Sequence, residues 1–597
     1  MREFTVPALY EVPADASLTD PVRRNAAEYP DRAVLARRTD AGWQDVTARA
    51  FLAEVRAVAK GLVASGVGPG DRVALMSRTR YEWTLLDFAI WSAGAVSVPV
   101  YETSSPEQIE WIISDSGAVA CVVETAAHEA ALDTVRGDLP LLGHVWQIEA
   151  GAVDALTAAG AGVSDTVLDE RTAAVRADDL ATIVYTSGTT GRPKGCMLTH
   201  RAFLAECGNI IARLGPLFGE GGSVLLFLPL AHVLGRIAEI AAVMAPIKLG
   251  HVSDIKNLTG ELAAFRPTLL LGVPRVFEKV YNSARAQARD GGKGRIFDRA
   301  AETAIAYSRA LETPAGPGVS LRLRHRLFDR LVYGRLRTVL GGRASYAISG
   351  GAPLGERLGH FYRGLGFTVL EGYGLGESCA ATTFNPHDRQ KIGTVGLPLP
   401  GSTVRIGEDG EVLLKGEHLF LGYWNNDKAT AEALDGGWFH TGDIGELDAE
   451  GYLRITGRKK EIIVTAGGKN VAPAVIEDRI RAHALVSECI VVGDARPFVA
   501  ALVTLDEEFL RRWAAERGRP EGVTAAELRD DPELLAEVQQ AVDDGNAAVS
   551  RAEAVRKFRV LDGQFTEESG HLTPSLKLKR NVVLRDFADE VEALYAR

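Results

Sequence analysis

The stretch Tyr185-Thr186-Ser187-Gly188-Thr189-Thr190-Gly191-Arg192-Pro193-Lys194-Gly195 puts four Ser/Thr hydroxyls, three glycines and a lysine into eleven residues, directly after an apolar ATIVY run. Glycines let backbone N–H groups approach an anion closely, and hydroxyls and a lysine add donors and charge. The composition therefore suits a phosphate. It is not the GxxxxGK[ST] pattern, because Pro193 precedes the lysine and Gly195 follows it. The same residues also suit a Gly/Ser/Thr hairpin turn that binds nothing.

Further along, Glu371-Gly372-Tyr373-Gly374-Leu375-Gly376-Glu377-Ser378 sets a tyrosine between glycines, where its ring can lie against a purine face. Glu377, four residues on, supplies a carboxylate of the kind Mg²⁺ prefers. Gly437-Trp438-Phe439-His440-Thr441-Gly442-Asp443 ends on a carboxylate able to accept from both hydroxyls of a ribose, although Thr-Gly-Asp alone reads as a turn. Other candidates also have plain readings. His232, closing Pro229-Leu230-Ala231-His232, is by itself a satisfied core histidine, and Ser349-Gly350-Gly351-Ala352-Pro353 is a turn after a strand. Arg458-Lys459-Lys460 is a solvated basic turn, and Lys577, Lys579 and Arg580 form a basic segment near the C-terminus.

The elements around these residues alternate. Helical spacing of apolar residues over 20–29, 47–65, 81–93 and 106–116 is interleaved with short apolar runs at 71–76, 95–101 and 119–123. Further strands are expected at 223–228, 268–272, 344–349 and 368–372. Strands alternating with helices of ten or more residues predict βαβ units, hence an α/β fold with a mostly parallel sheet. Residues 282–340, rich in Ala, Arg and Leu, read as helices broken at Pro314–Gly318. Within them, Arg322, Arg324, Arg326, Arg330, Arg335 and Arg337 stand among leucines. Such a stretch is either a basic amphipathic surface for anionic lipid or, the ordinary case, a solvated helix face with its leucines buried. After Pro400, alternating runs at 403–406, 411–414 and 452–455 predict antiparallel strands, and beyond Gly457 strands and helices mix as in a small α+β domain.

The 597 residues carry 67 basic and 78 acidic side chains, a net charge of −11, with 46% hydrophobic residues. At roughly 150 residues per domain this allows about four folding units, and the acidic balance argues against a nucleic-acid partner. Cys121, Cys196, Cys207, Cys379 and Cys489 are scattered without a zinc or CxxC spacing, which suits a reducing cytoplasm. The N-terminal residues do not read as a signal peptide. The longest apolar stretches, 224–235 and 237–247, fall short of the about 20 residues that cross a bilayer. At most peripheral contact with a membrane is expected.

Taken in order, these stretches resemble the signatures of the AMP-forming adenylate synthetases, the superfamily of acyl-CoA synthetases, luciferase and peptide-synthetase adenylation domains. Six motifs occur in the family's order between about Asp20 and Val583. The resemblance implies a large N-terminal domain (1–457) of βαβ-type subdomains plus a β-rich subdomain, followed by a small mobile α+β domain (458–597). It makes Thr186, Ser187, Gly188, Thr189, Thr190, Gly191 and Lys194 the triphosphate loop. It sets Gly350, Gly351 and Ala352 beside adenine and acyl chain, with Glu371, Gly372, Tyr373 and Gly374 in the nucleotide wall. Glu377 becomes the Mg²⁺ ligand, Asp443 the ribose carboxylate, and Arg458 its neighbour after a hinge at Gly457. Gly467 and Gly468 border the thiol channel, His232 borders the carboxylate site, and Lys577 is the mobile catalytic lysine, with Lys579 as competitor. Relatives carry Thr or Ser where this chain has Gly376, so one phosphate-facing hydroxyl is expected to be missing.

The segment Leu271-Gly272-Val273-Pro274-Arg275-Val276-Phe277-Glu278-Lys279, the helical stretch that follows and Leu576 before the lysine are similar to bacterial long-chain fatty acid–CoA ligases. Gly272, Val273 and Gly351 then belong to the acyl site, and the expected substrates are a fatty acid, ATP with Mg²⁺, and CoA. A fatty acyl-AMP ligase serving a carrier protein, or a non-catalytic acyl-nucleotide binder, are the competing readings; Gly376 alone supports the last. If Lys577 drives adenylation, Lys577→Ala abolishes acyl-AMP formation, and an unchanged rate removes that residue from the mechanism.

Overall fold

The computed structural model describes residues 1–186, 192–520, 522–573 and 578–596. Ser187, Gly188, Thr189, Thr190, Gly191 and Lys577 lie outside them. The expected α/β architecture is present, and its helices and strands begin and end within a few residues of the predicted bounds.

Two large sheets form the body of the N-terminal part. The first has six strands, in the order His144–Gln147, Ala120–Val123, Arg72–Met76, Val96–Val100, Leu180–Thr186 and Lys194–Thr199. All its pairings are parallel except the last, which is an antiparallel hairpin. The second has nine strands, with Ser223–Leu226, Lys248–His251, Leu269–Gly272, Tyr346–Ser349 and Thr368–Tyr373 as its parallel centre. Strand runs such as Val-Ala-Leu-Met and Leu-Leu-Leu-Gly are buried along their whole length, as strands covered on both faces must be.

Helices fill the space between these sheets. Tyr81–Ser92 touches both: the Trp91 indole donates to the Ala181 carbonyl of the first sheet at 2.9 Å, and Thr84 bonds His251 of the second at 2.8 Å. Beside it runs the helix Val233–Met244, which carries the fully buried Arg236. The Arg236 guanidinium donates to Thr182 Oγ1 (2.6 Å) and Ser97 Oγ (2.9 Å) of the first sheet and pairs with buried Asp87. The rings of Trp83, Trp91 and Phe203 lie 5.3, 5.3 and 5.7 Å from it.

A third, antiparallel sheet runs Glu3–Thr5, Ser402–Ile406, Glu411–Gly416, Trp438–Leu447, Leu434–Asp435, with Leu453–Arg458 also on Trp438–Leu447. The Thr-Gly-Asp of residues 441–443 is therefore not a turn. It lies inside a ten-residue strand whose alternation turns Phe439, Thr441 and Asp443 to the buried face. Gly457, expected to act as a hinge, is paired in the ladder opposite Ile444.

From Ile463 onward the core is separate: Val486–Val492, Val499–Leu505 and Val555–Val560 form a three-stranded sheet with an apolar cluster on each face. The helical stretch consists of Pro274–Asp290, Gly294–Leu311, Val319–Phe328, a π turn at Asp329–Tyr333, and Gly334–Val339. Its leucines are not all buried, against the ordinary expectation: Leu323, Leu327 and Leu331 are exposed.

Glu239, one turn beyond Arg236, is fully buried and neither carboxyl oxygen has a hydrogen-bond partner among the described residues. Burial, and then the nearby charge of Asp87, push its pKa up to about 8 from an ordinary 4.5. At neutral pH the folded protein keeps a proton that the unfolded chain has released, so this group makes stability fall as pH rises from about 4.5 to 8. Glu239→Gln is expected to flatten that decline. Urea midpoints at pH 5 and pH 8 measure it, and an unchanged difference between the two would show that Glu239 is not the group responsible.

Candidate active site

The parallel register gathers three of the predicted loops. Gly272 pairs with Ser349, and Ser349 with Glu371, so Val273, Gly350-Gly351 and Gly372-Tyr373 leave adjacent strands side by side at their carboxyl ends. Ligands of open α/β sheets bind at that edge. Gly351 has φ +85°, and a Cβ there would stand 3.9 Å from the Val273 side chain. A Cβ on Gly350 would lie 3.8 Å from Leu234, which follows His232. His232 caps the helix Val233–Met244, its Nδ1 accepting from Leu234 N–H at 3.1 Å. Ala352 is exposed beside Gly351. An apolar cavity of about 30 Å³ is lined by Phe227, Leu270, Val276, Phe277, Val339 and Leu340, among others, and a Cβ on Gly272 would stand 3.4 Å from Phe277 and 3.6 Å from Phe227.

The glycines of the tyrosine motif are required by packing. A Cβ on Gly374 would sit 2.1 Å from the Ala380 carbonyl, and one on Gly372 would sit 2.8 Å from the Phe384 ring. Glu371 is buried, its carboxylate accepts from Leu354 N–H at 2.9 Å, and burial pushes its pKa up to about 7. It closes the loop that carries Gly350 and Gly351.

Tyr373, Asp443 and Arg458 meet. The Tyr373 hydroxyl donates to Asp443 Oδ2 at 2.6 Å, and Arg458 forms an ion pair with Oδ1, its Nε 2.9 Å away, across the ladder pair Asp443–Arg458. Burial and the Asp443 charge hold the Tyr373 phenol well above its ordinary pKa, so it remains a donor. A carboxylate has about four acceptor sites, and Asp443 keeps two beyond these contacts.

Glu377 and Lys194 are joined by a residue that the sequence reading missed. Residues 421–424 add to the outer edge of the first sheet, with Leu421 N–H on Met197 O (2.9 Å), Met197 N–H on Gly422 O (3.0 Å) and Trp424 N–H on Gly195 O (2.7 Å). Tyr423 thereby reaches Glu377 Oε1 with its hydroxyl at 2.8 Å, and the Lys194 ammonium lies 4.3 Å from its ring centre. Tyr423 stands in Leu421-Gly422-Tyr423-Trp424-Asn425-Asn426, where only the turn composition marks it. Thr186 pairs with Lys194 at the base of the hairpin. A Cβ on Gly376 would stand 2.6 Å from Thr186 Cγ2, so the space that a Thr or Ser would need here is filled by Thr186. The other stem is fixed by Trp111, whose indole donates to Pro193 O at 2.9 Å.

Gly467 and Gly468 lie apart from these groups. They form the tip of the hairpin Ile463–Val464/Asn470–Val471, where Gly468 has φ +75°. Arg580 is held inside the C-terminal unit by Glu477 and the Val491 carbonyl. Arg275, from the segment singled out at Gly272–Lys279, instead reaches across to that unit and donates to Glu488 at 2.7 Å. No group of three or more His, Cys, Asp or Glu side chains able to hold a metal occurs among the described residues. Glu377 offers a single carboxylate beside Lys194. That fits a Mg²⁺ ion arriving on nucleotide phosphates, since Mg²⁺ keeps most of its waters and takes one or two protein carboxylates.

Comparison with known proteins identifies the family. Residues 22–424 match the family described as AMP-binding enzyme, and residues 460–597 the AMP-binding enzyme C-terminal domain. The chain belongs to the AMP-binding enzyme family. It is 50% identical over 598 residues to the long-chain-fatty-acid–CoA ligase FadD15 of Mycobacterium bovis, covering all of both chains. It is 31% identical to the peroxisomal long chain acyl-CoA synthetase 7 of Arabidopsis thaliana, over 91% of this chain and 80% of that one. Among solved structures, ATP-bound MatB from Rhodopseudomonas palustris matches with a TM-score of 0.69 at 26% identity, over 96% of this chain and 100% of that one. The anthranilate CoA ligase AuaEII with anthranoyl-AMP matches at 0.71 and 20%, over 98% and 99%, and so shares the fold.

In this AMP-binding enzyme, Tyr423→Phe removes a hydrogen bond to a charged carboxylate, worth about 1.5–3 kcal/mol. ATP–pyrophosphate exchange is expected to fall about tenfold or more, with the thermal midpoint little changed. A wild-type exchange rate would show that Tyr423 does not position Glu377.

Proposed function

We propose that this chain is an AMP-forming long-chain fatty acid–CoA ligase. The observation that carries the reading is the full-length 50% identity to a long-chain-fatty-acid–CoA ligase, joined to the convergence of the three strand-end loops on one site. In the first half-reaction a fatty carboxylate attacks the α-phosphorus of ATP, giving acyl-AMP and pyrophosphate. In the second the CoA thiolate attacks the acyl carbon and AMP leaves.

The first step needs no general base, because a carboxylic acid with pKa near 4–5 is already ionised at neutral pH. Its difficulty is charge: nucleophile, triphosphate and transition state are all anionic. Fixed donors and cations aimed at that charge are the largest help a protein can give. We assign this work to Lys194, held over Tyr423, to the hydroxyls and backbone of residues 186–191, and to Lys577. Glu377 would hold Mg²⁺, which when bound neutralises phosphate charge. Asp443 accepts the ribose hydroxyls while Tyr373 and Arg458 keep it oriented, and the Tyr373 ring lies against adenine. His232, Gly272, Val273, Gly350, Gly351 and Ala352 border the carboxylate and the start of the acyl chain. The apolar cavity lined by Phe227 and Phe277 receives methylenes, each worth about 0.8 kcal/mol.

For the second step, residues 458–597 turn as a unit about the strand end at Gly457 and Arg458, withdrawing Lys577 and bringing Gly467 and Gly468 to the thiol path. What supports a movable unit is its separate core. A long-chain substrate partitions into bilayers, so peripheral contact with a membrane belongs to the same reading; no described helix is long and apolar enough to cross one.

Mass spectrometry of products from palmitate, ATP and Mg²⁺, with and without CoA, tests the assignment. Palmitoyl-CoA and AMP are expected only when CoA is present. Palmitoyl-AMP that accumulates despite CoA would mean transfer to another acceptor, and absence of AMP with several carboxylic acids would remove the ligase reading.

A further inference from the structure

The helix Val319–Phe328 and the π turn after it carry four large aliphatic side chains in one row: Val319, Leu323, Leu327 and Leu331 are 75%, 60%, 55% and 50% exposed. Residues four apart on an α-helix advance by about 40° around it, so the row stays on one side. The π turn, with more residues per turn, cancels part of the drift before Leu331. The opposite side is anchored. His325 bonds the Gly364 carbonyl at 2.6 Å, and the Tyr333 hydroxyl donates to the Ala300 carbonyl at 2.7 Å. The helix cannot roll to bury its leucines without breaking these bonds.

Arginines flank the row. Arg322, Arg326 and Arg330 repeat at the same four-residue interval on one side, with Arg324 on the other. All four are exposed, and none pairs with a described carboxylate, whereas nearby Arg337 and Arg363 pair with Asp329 and Glu312. A net charge of −11 is thus locally reversed. A partner protein with one or two carboxylates would leave most of these charges unmatched; an extended anionic plane meets them all. The same helical run ends at Val339 and Leu340, which line the apolar cavity with Phe227 and Phe277.

We infer that the face formed by Val319, Leu323, Leu327 and Leu331 with Arg322, Arg324, Arg326 and Arg330 docks this enzyme on an anionic phospholipid surface. The leucines sit at the level of the upper acyl chains and the guanidinium groups among the phosphates, the arrangement of a helix lying in the membrane plane. This rests on the proposal of a fatty acid substrate for its purpose, but not for its test.

The test is co-sedimentation of the full chain with vesicles of phosphatidylcholine alone or with phosphatidylglycerol. Binding is expected only to the anionic vesicles and is expected to weaken as salt rises. Arg322→Gln/Arg326→Gln/Arg330→Gln should lower the partition coefficient about a hundredfold, on the order of tenfold for each one to two basic residues. Leu323→Gln/Leu327→Gln should lower it about tenfold or more. Both variants should keep the wild-type thermal midpoint and the wild-type rate on fatty acid presented in detergent, which separates loss of docking from loss of folding or chemistry. Three results would overturn the inference: no binding of the wild type to anionic vesicles, variants that bind as the wild type does, or lipid-free self-association that the leucine variant abolishes, which would make a second copy the occupant.

Discussion

Arg236 is buried on its helix against the first sheet and the helix Tyr81–Ser92, and its hydrogen bonds and ion pair reach both. A buried guanidinium without partners is too costly to tolerate, and removing one partner of such a pair typically costs about 3–5 kcal/mol. The helix that carries Arg236 therefore has few places to be. That helix begins at His232 and faces the Gly350–Gly351 loop through Leu234. The position of one edge of the candidate site thus depends on charge matching well inside the protein. Glu239 does not compete for Arg236, because burial keeps it protonated at neutral pH.

With the sheets fixed in this way, the site is built from strand ends and short contacts. Its glycines have two different duties. Gly351 supplies a left-handed turn, while Gly372 and Gly374 make room for neighbouring backbone and ring. The cations and carboxylates are held in pairs by tyrosines. Tyr373 serves Asp443, and Tyr423 serves Glu377 and Lys194. A phenol suits both tasks, since its hydroxyl orients a carboxylate and its ring face attracts an ammonium without neutralising it.

Much of this was legible in the sequence. Strand runs such as 72–76 and helices such as 106–116 announce themselves by period, and the structure adds a capping box of Ser105 and Gln108 and a left-handed Gly117 at the ends of the latter. The loop order gave the family resemblance. Tyr423 was not legible, because its partners are 46 and 229 residues away and meet only through an added strand. The burial of Asp443 was hidden because Thr-Gly-Asp has turn composition, and the alternation that places it in a strand is spread over ten residues. The reason for Gly376 was hidden too, since it lies in the side chain of Thr186, 190 residues earlier. The leucines of 319–331 read either as a lipid-facing surface or, in the ordinary case, as core, because composition does not tell which side of a helix the rest of the chain will cover.

The ladder pair Asp443–Arg458 spans two roles. Asp443 sits on a strand of the N-terminal body, and Arg458 is the last paired residue before the chain enters the C-terminal unit. On the proposed reading, a nucleotide that draws on Asp443 shares it with Arg458, and occupancy there and the setting of the following unit would be thermodynamically linked. Linkage is reciprocal: whatever factor the nucleotide contributes to favouring one orientation, that orientation returns to the nucleotide's affinity. One rung of a β-ladder would then let the protein tell, without a separate sensor, whether its first substrate has been spent.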